Sequence, residues 1–191
     1  IPNLMNQSTL NSLRRKDKIP KDYDLIYRAG TIKYIRYGYP VAVLSFIALS
    51  SSFIYFNYFF ENMSYPATAG LQGNQIAYRN AKEVNITYIA YIAMNVLTIL
   101  ILKRMIMRVW HNPVDDTYKM ILVKTLPPFQ RCVNFKPGEL YRKNPYPKHA
   151  LQEVIHWHKR SMYYISMVDF RSPADYYKMI GHDCQKDDEL E

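Results

Sequence analysis

Twenty consecutive residues, Val41 to Phe60 (VAVLSFIALSSSFIYFNYFF), carry no charge, and eighteen more follow from Asn85 to Leu102 (NITYIAYIAMNVLTILIL). A helix rises about 1.5 Å per residue, so the first run reaches roughly 30 Å, the hydrocarbon thickness of a bilayer. Neither run has a polar stripe at helical spacing, so neither reads as a surface helix. Burying two such helices on every side takes a large soluble protein, and 191 residues are too few. The expectation is two membrane spans, 41–60 and 85–102, joined by a link, 61–84. Pro66, Gly70 and Gly73 mark that link as an irregular loop.

Charge sets the orientation. Residues 1–40 hold eight Lys and Arg against three Asp, the link two bases and two acids, and residues 103–108 three bases and no acid. Basic flanks stay on the cytoplasmic or matrix side, so both termini are expected there. Lys33, Arg36, Lys103, Arg104 and Arg108 are the expected topology residues, facing anionic lipid head groups. Arg104 and Arg108 are four apart and would share one face of a continuing helix. Tyr34, Tyr37 and Tyr39 at one end of the first run, and Tyr55, Tyr58, Phe59 and Phe60 at the other, fit the interfacial aromatic belt.

Several polar residues sit inside the runs: Ser45, Ser50, Ser51, Ser52 and Asn57 in the first, Asn95 and Thr98 in the second. They are the expected intramembrane packing residues, where one helix meets another. The alternative is that they bond back to their own helix backbone.

The remainder is soluble in character. Residues 1–26 are polar, with a basic cluster at Arg14, Arg15, Lys16 and Lys18, and are expected to stay extended until a partner holds them. Residues 26–40 are basic and aromatic, with Pro40 where a helix can begin, and should lie along the membrane surface. After Trp110, HNP makes a turn. Strands are expected at 117–126 and at 132–141, the latter interrupted by a Pro-Gly turn. Residues 151–158 hint at a helical turn, and 161–170 and 175–180 read as two strands joined by RSPA. The fold class is therefore an α+β membrane protein: a two-helix transmembrane hairpin, then a small β-rich module over 103–182 and an acidic tail over 183–191. Tyr118, Phe135, Tyr163, Tyr164, Tyr176 and Tyr177 are the expected partner-binding aromatics of that module.

Chemistry is not indicated. His149, His156 and His158 lack the Cys or acid that would complete a metal set. Cys132 has no His and Asp context for a nucleophile, and with Cys184 it makes too few cysteines for a disulfide framework. Asp115 and Asp116 read as turn acids. Phosphate-binding loops, nucleophile elbows and zincin motifs are missing from the sequence, so neither cofactor nor catalysis is expected. Neither span carries an ionisable side chain, which argues against a pump acting alone. The net charge of +9 suits an anionic membrane surface, and no nucleic-acid partner is expected. The chain begins at Ile1, which fits either loss of a presequence or a segment missing ahead of it.

A basic aromatic stretch (IYRAGTIKYIRY) leads into the first span, the second ends in LKRMIMRVW, and a strand-rich module closes with VDFRSPADYYKMI. This order, with Tyr27-Arg28, Ile32-Lys33-Tyr34, Ser172-Pro173 and Tyr176-Tyr177, resembles the transmembrane protein 186 family, related in layout to transmembrane proteins 70 and 223. The likeness covers roughly residues 25–182. It implies a two-pass protein of the mitochondrial inner membrane with both termini in the matrix. It further implies a non-catalytic chaperone or scaffold for the membrane arm of respiratory complex I, within the mitochondrial complex I intermediate assembly complex. Its partners would be membrane-arm subunits and the soluble and membrane assembly factors of that complex. The alternatives are an oligomeric two-pass pore or transporter subunit lined by the polar residues of the spans, an assembly factor for ATP synthase, and a secretory-pathway protein glycosylated on Asn62.

Overall fold

The computed structural model describes residues 5–59, 67–69, 76–78, 80–124, 130–142 and 154–181. The expectations for Phe60, Asn62, Pro66, Gly70, Gly73, His149, Cys184 and the tail 183–191 lie outside these residues. The chain forms two units. One combines Ile1–Tyr37 with Leu102–Glu191, and the other is Gly38–Ile101.

In the first unit, helix α1 (Gln7–Asp17) ends at Lys18, which takes a left-handed φ of 56°. Strand β1 (Asp24–Arg28) follows, and three residues separate it from helix α2 (Ile32–Phe59). After helix α3 (Ala81–Arg104) come β4 (Ile106–Asn112), β5 (Thr117–Val123) and β6 (Gln130–Phe135). These strands form an antiparallel sheet in the order β1-β4-β5-β6. All seven residues of β4 are buried, so its two faces are both covered. The β4–β5 turn is set by Asn112, whose Oδ1 accepts from the Val114 N–H at 3.0 Å and whose Nδ2 donates to Asp115 at 2.8 Å.

A second antiparallel sheet joins β7 (Leu140–Tyr141), β8 (Ile155–His158) and β9 (Ser161–Tyr164) in that order. A 3-10 turn, Met167–Asp169, and helix α4 (Pro173–Met179) close the unit. The outer side of β1 is tied to this end of the chain. Tyr27 bridges Phe170, the Arg171 N–H donates to the Ile26 carbonyl at 2.7 Å, and the Gly30 N–H donates to Asp169 Oδ2 at 3.1 Å. Gly138 (φ 78°) and Gly181 (φ 86°) meet where α4 ends, and the Gly138 N–H donates to the Met179 carbonyl at 3.1 Å.

Several expectations change. Residues 7–17 are helical and 24–28 are a sheet strand, so the N-terminal segment is built into the fold rather than extended. What orders it is the C-terminal half of the same chain. Pro40 lies inside α2, not at its start. The second helix stops at Arg104, and Met105 already bridges Tyr164, so Arg108 stands in a strand. Among residues 151–158 the described part is strand β8, not a helical turn. Residues 173–179 are a helix, not a strand: the Ser172 Oγ accepts from the Asp175 N–H at 3.2 Å, an N-cap with Pro173 in the first helical turn. The tyrosines of that segment favour a strand weakly, and the cap outweighs them. The strands expected at 117–126 and around the Pro-Gly turn are present as β5, β6 and β7.

The second unit holds most of α2 and α3. Asn80 caps α3, its Oδ1 accepting from the Glu83 N–H at 3.0 Å. Within the link, β2 (Ala67–Ala69) and β3 (Ile76–Tyr78) pair antiparallel, where an irregular loop was expected.

Candidate membrane interface

The two long helices are apolar but barely covered. Their most apolar eighteen-residue windows are 11% buried in α2 and 6% in α3. A core helix of a soluble protein is mostly buried. Here Val41, Leu44, Ile47 and Ile54 on α2, and Ile86, Ile89, Met94, Leu97 and Leu100 on α3, are all exposed. Contiguous exposed apolar surface of this extent marks a face that meets a membrane or a protein partner.

The polar residues of the helices divide between the two roles foreseen for them. Ser52 Oγ meets the Tyr88 hydroxyl at 3.0 Å, and Asn85 Nδ2 donates to Asn57 Oδ1 at 3.2 Å, so these cross-link α2 and α3. Phe53 and Phe56 pack on the Tyr88 ring between them, at 5.7 and 6.0 Å. Asn95 and Thr98 instead bond back to the carbonyls of Tyr91 and Met94, four residues earlier. Asn57 does both, since its Nδ2 donates to the Phe53 carbonyl. Ser45 and Ser50 are half-buried and Ser51 is exposed.

The basic residues divide as well. Lys33 and Arg36 are exposed in the first turns of α2. Lys103 and Arg104 are half-buried in the last turn of α3, and Arg104 Nη1 donates to the Met162 carbonyl at 3.2 Å. Arg108 is not a head-group residue. It is 2% exposed, and its guanidinium grips Asp17 through Nε to Oδ2 at 2.6 Å and Nη2 to Oδ1 at 2.5 Å. Trp110 Nε1 donates to the same carboxylate at 2.9 Å. The Gln130 amide, turned to suit both neighbours, donates to Asp17 at 2.7 Å and accepts from Arg108 at 3.1 Å. This buried cluster ties the end of α1 to β4 and β6. Nothing in the linear sequence announces it, because Asp17 lies among bases and its partners are some 91 to 113 residues away.

The expected partner aromatics are mostly core. Tyr118, Phe135, Tyr163 and Tyr176 are buried, Tyr164 is half-buried, and of the six Tyr177 alone is exposed. His111, Tyr118 and Phe135 stand on neighbouring strands β4, β5 and β6, and their rings stack at 4.4 and 5.3 Å. His158 of β8 extends the column, 6.0 Å from Phe135 and 6.5 Å from Tyr163. The column joins the two sheets, which explains why these rings are inside.

The titratable groups serve structure. His156 is buried, with Nδ1 3.2 Å from the Val154 carbonyl and Nε2 2.9 Å from the Tyr176 hydroxyl. Burial pushes it down to about 4, so it is neutral, with Nδ1 donating and Nε2 accepting. Burial raises Asp116, but hydrogen bonds from His111 and Lys178 and their charges together bring it below the usual carboxylate range. Burial pushes the Cys132 thiol up, away from reactive thiolate. Among the described residues, no three His, Cys, Asp or Glu side chains gather as a metal site.

The architecture is that of an α+β protein in which two long apolar helices interrupt a unit built on antiparallel sheets. No family model, curated protein or solved structure matches the chain.

Proposed function

We propose that this chain is a two-pass membrane protein acting as a non-catalytic scaffold or chaperone in the assembly of membrane-embedded subunits. The carrying observation is the pairing of β1 with β4 around two uncovered apolar helices. β1 precedes α2 and β4 follows α3, so both strands occupy one compartment. An even number of membrane crossings must separate them, which a hairpin of α2 and α3 supplies. Basic flanks favour the matrix or cytoplasmic side for the sheet-bearing unit.

The resemblance to the transmembrane protein 186 family supports the mitochondrial inner membrane as the site and the membrane arm of complex I as the client. On this reading α2 and α3 hold newly made hydrophobic subunits by helix packing, while the matrix unit meets the other assembly factors, with Tyr177 on its surface. Native complexes isolated from mitochondrial membranes test it by mass spectrometry. Complex I membrane-arm subunits and assembly factors should travel with the chain in subassemblies smaller than the finished enzyme. Recovery free of respiratory subunits, or only with ATP synthase precursors, refutes the complex I assignment.

A further inference from the structure

The β7-β8-β9 sheet turns one face into its unit and the other away from it. Residues opposite each other on neighbouring strands share a face, and successive residues alternate between faces. Leu140 pairs with His158 and His156 with Tyr163, and these four are buried. The other face holds the row Tyr141–Trp157–Met162 and the pair Ile155–Tyr164. All five are apolar or aromatic; Tyr141 is 45% exposed and the other four are half-buried.

Strand β9 is tied to the end of α3 by two contacts. Arg104 Nη1 donates to the Met162 carbonyl at 3.2 Å, and Met105 bridges Tyr164. Both contacts start within three residues of Leu102, the last of the uncharged run. At 1.5 Å per residue, Met105 lies about 4–5 Å beyond Leu102. The head-group layer on each side of the hydrocarbon is about 5–7 Å deep. With α3 as a span, β9 therefore stands at head-group depth, and the row to Trp157 and Tyr141 runs outward from there by two strand spacings of about 4.8 Å. Trp, Tyr and their amphipathic rings collect in this layer. The charge also suits it. Lys159 and Arg160 are exposed at the β8–β9 turn and Arg142 follows β7, while residues 140–142 and 155–164 contain no acid. Such a rim is attracted to anionic head groups.

We infer that Tyr141, Ile155, Trp157, Met162 and Tyr164 form a platform that rests on the membrane surface, seated in the head-group layer of an anionic leaflet. This rests on the two-span reading, which places the end of α3 at that layer. It adds a lipid contact made by the folded sheet-bearing unit and by none of the flanking bases.

The chain has two tryptophans, and Trp110 is 0% exposed, so Trp157 reports on this face. The test reconstitutes the full purified chain into phosphatidylcholine vesicles containing phosphatidylglycerol. The lipids carry bromine either high or low on the acyl chain, and iodide is supplied on both sides in a separate arm. High bromines should quench the share of emission that Trp157→Phe removes, low bromines should quench less, and iodide should quench little. Quenching by iodide with none by bromine overturns the inference, because the face then meets water. Protection from both quenchers overturns it as well, because protein then covers Trp157; iodide quenching that appears on dilution in detergent identifies that cover as a second copy. Carbonate extraction separates this failure from that of the parent reading. A chain released by carbonate is not a two-span protein, whereas a retained chain without bromine quenching defeats the platform alone.

Discussion

Replacing Asp17 by Ala removes one carboxylate and strands four donors, two on Arg108 and one each on Trp110 and Gln130. The Arg108 and Asp17 side chains are 3% and 0% exposed, so water cannot take over. Breaking a buried ion pair from one side costs about 3–5 kcal/mol, because the surviving charge stays buried without a partner. The Trp110 indole N–H loses its acceptor too, a loss of about 1–3 kcal/mol that overlaps with the first. A total near 4 kcal/mol is a large part of the stability of any single unit. For a unit of about 100 residues each kcal/mol moves Tm by about 4–8 °C, so a drop of roughly 15–30 °C is expected. The assay is thermal unfolding of the detergent-purified chain followed by tryptophan fluorescence, since Trp110 sits in the cluster. Arg108→Met alone should cost a similar amount. The pair Asp17→Leu with Arg108→Met should recover most of the loss, because apolar residues of like volume replace a buried pair at little cost. The single effects must then fail to add, and the double-mutant cycle reads their coupling. A drop of only a few degrees for Asp17→Ala, or simple additivity, refutes the buried cluster and returns Arg108 to a head-group position.

Two further outcomes follow from the same unit. His156 has its folded pKa near 4 and an unfolded value near 6.5. Between those values the unfolded chain binds a proton that the folded chain does not, so stability is full above pH 6.5 and falls, by about 3 kcal/mol in all, as pH drops towards 4. Denaturant titrations across that range check it, and His156→Gln should flatten the slope. Gly181→Ala places a Cβ 3.0 Å from the Gly138 Cα at a φ of 86°. It should cost about 1–2 kcal/mol from left-handed backbone alone, whereas exposed Ala48→Gly inside α2 should leave the melt of the first unit unchanged.

The apolar helices were legible because their signal is local. Each uncharged run is long enough to demand helix by itself, and the observed helices contain the described residues of both runs, extended by charged turns at 32–40 and 103–104. Strands β5 and β6 were legible for the same reason, since β-branched residues and the Pro-Gly turn after β6 act over a few positions. The site residues were less so. Arg108 reads as one more flanking base, yet the chain turns from helix to strand at Met105 and carries it inside. Tyr118, Phe135 and Tyr163 look like interface aromatics, yet cross-strand register stacks them into the core.

By itself the sequence determined two apolar helices, basic outer flanks and a strand-rich C-terminal region, because solvent partition and short-range backbone preference depend on neighbours in the chain. Only the tertiary structure decided that the N-terminal segment belongs to the same unit as the C-terminal half. That decision rests on β1 pairing with β4 and on Asp17 reaching Arg108, contacts some 80 to 90 residues apart. The energy of such contacts lies in burial and in the geometry of partners, and neither residue carries a mark of the other in the linear chain.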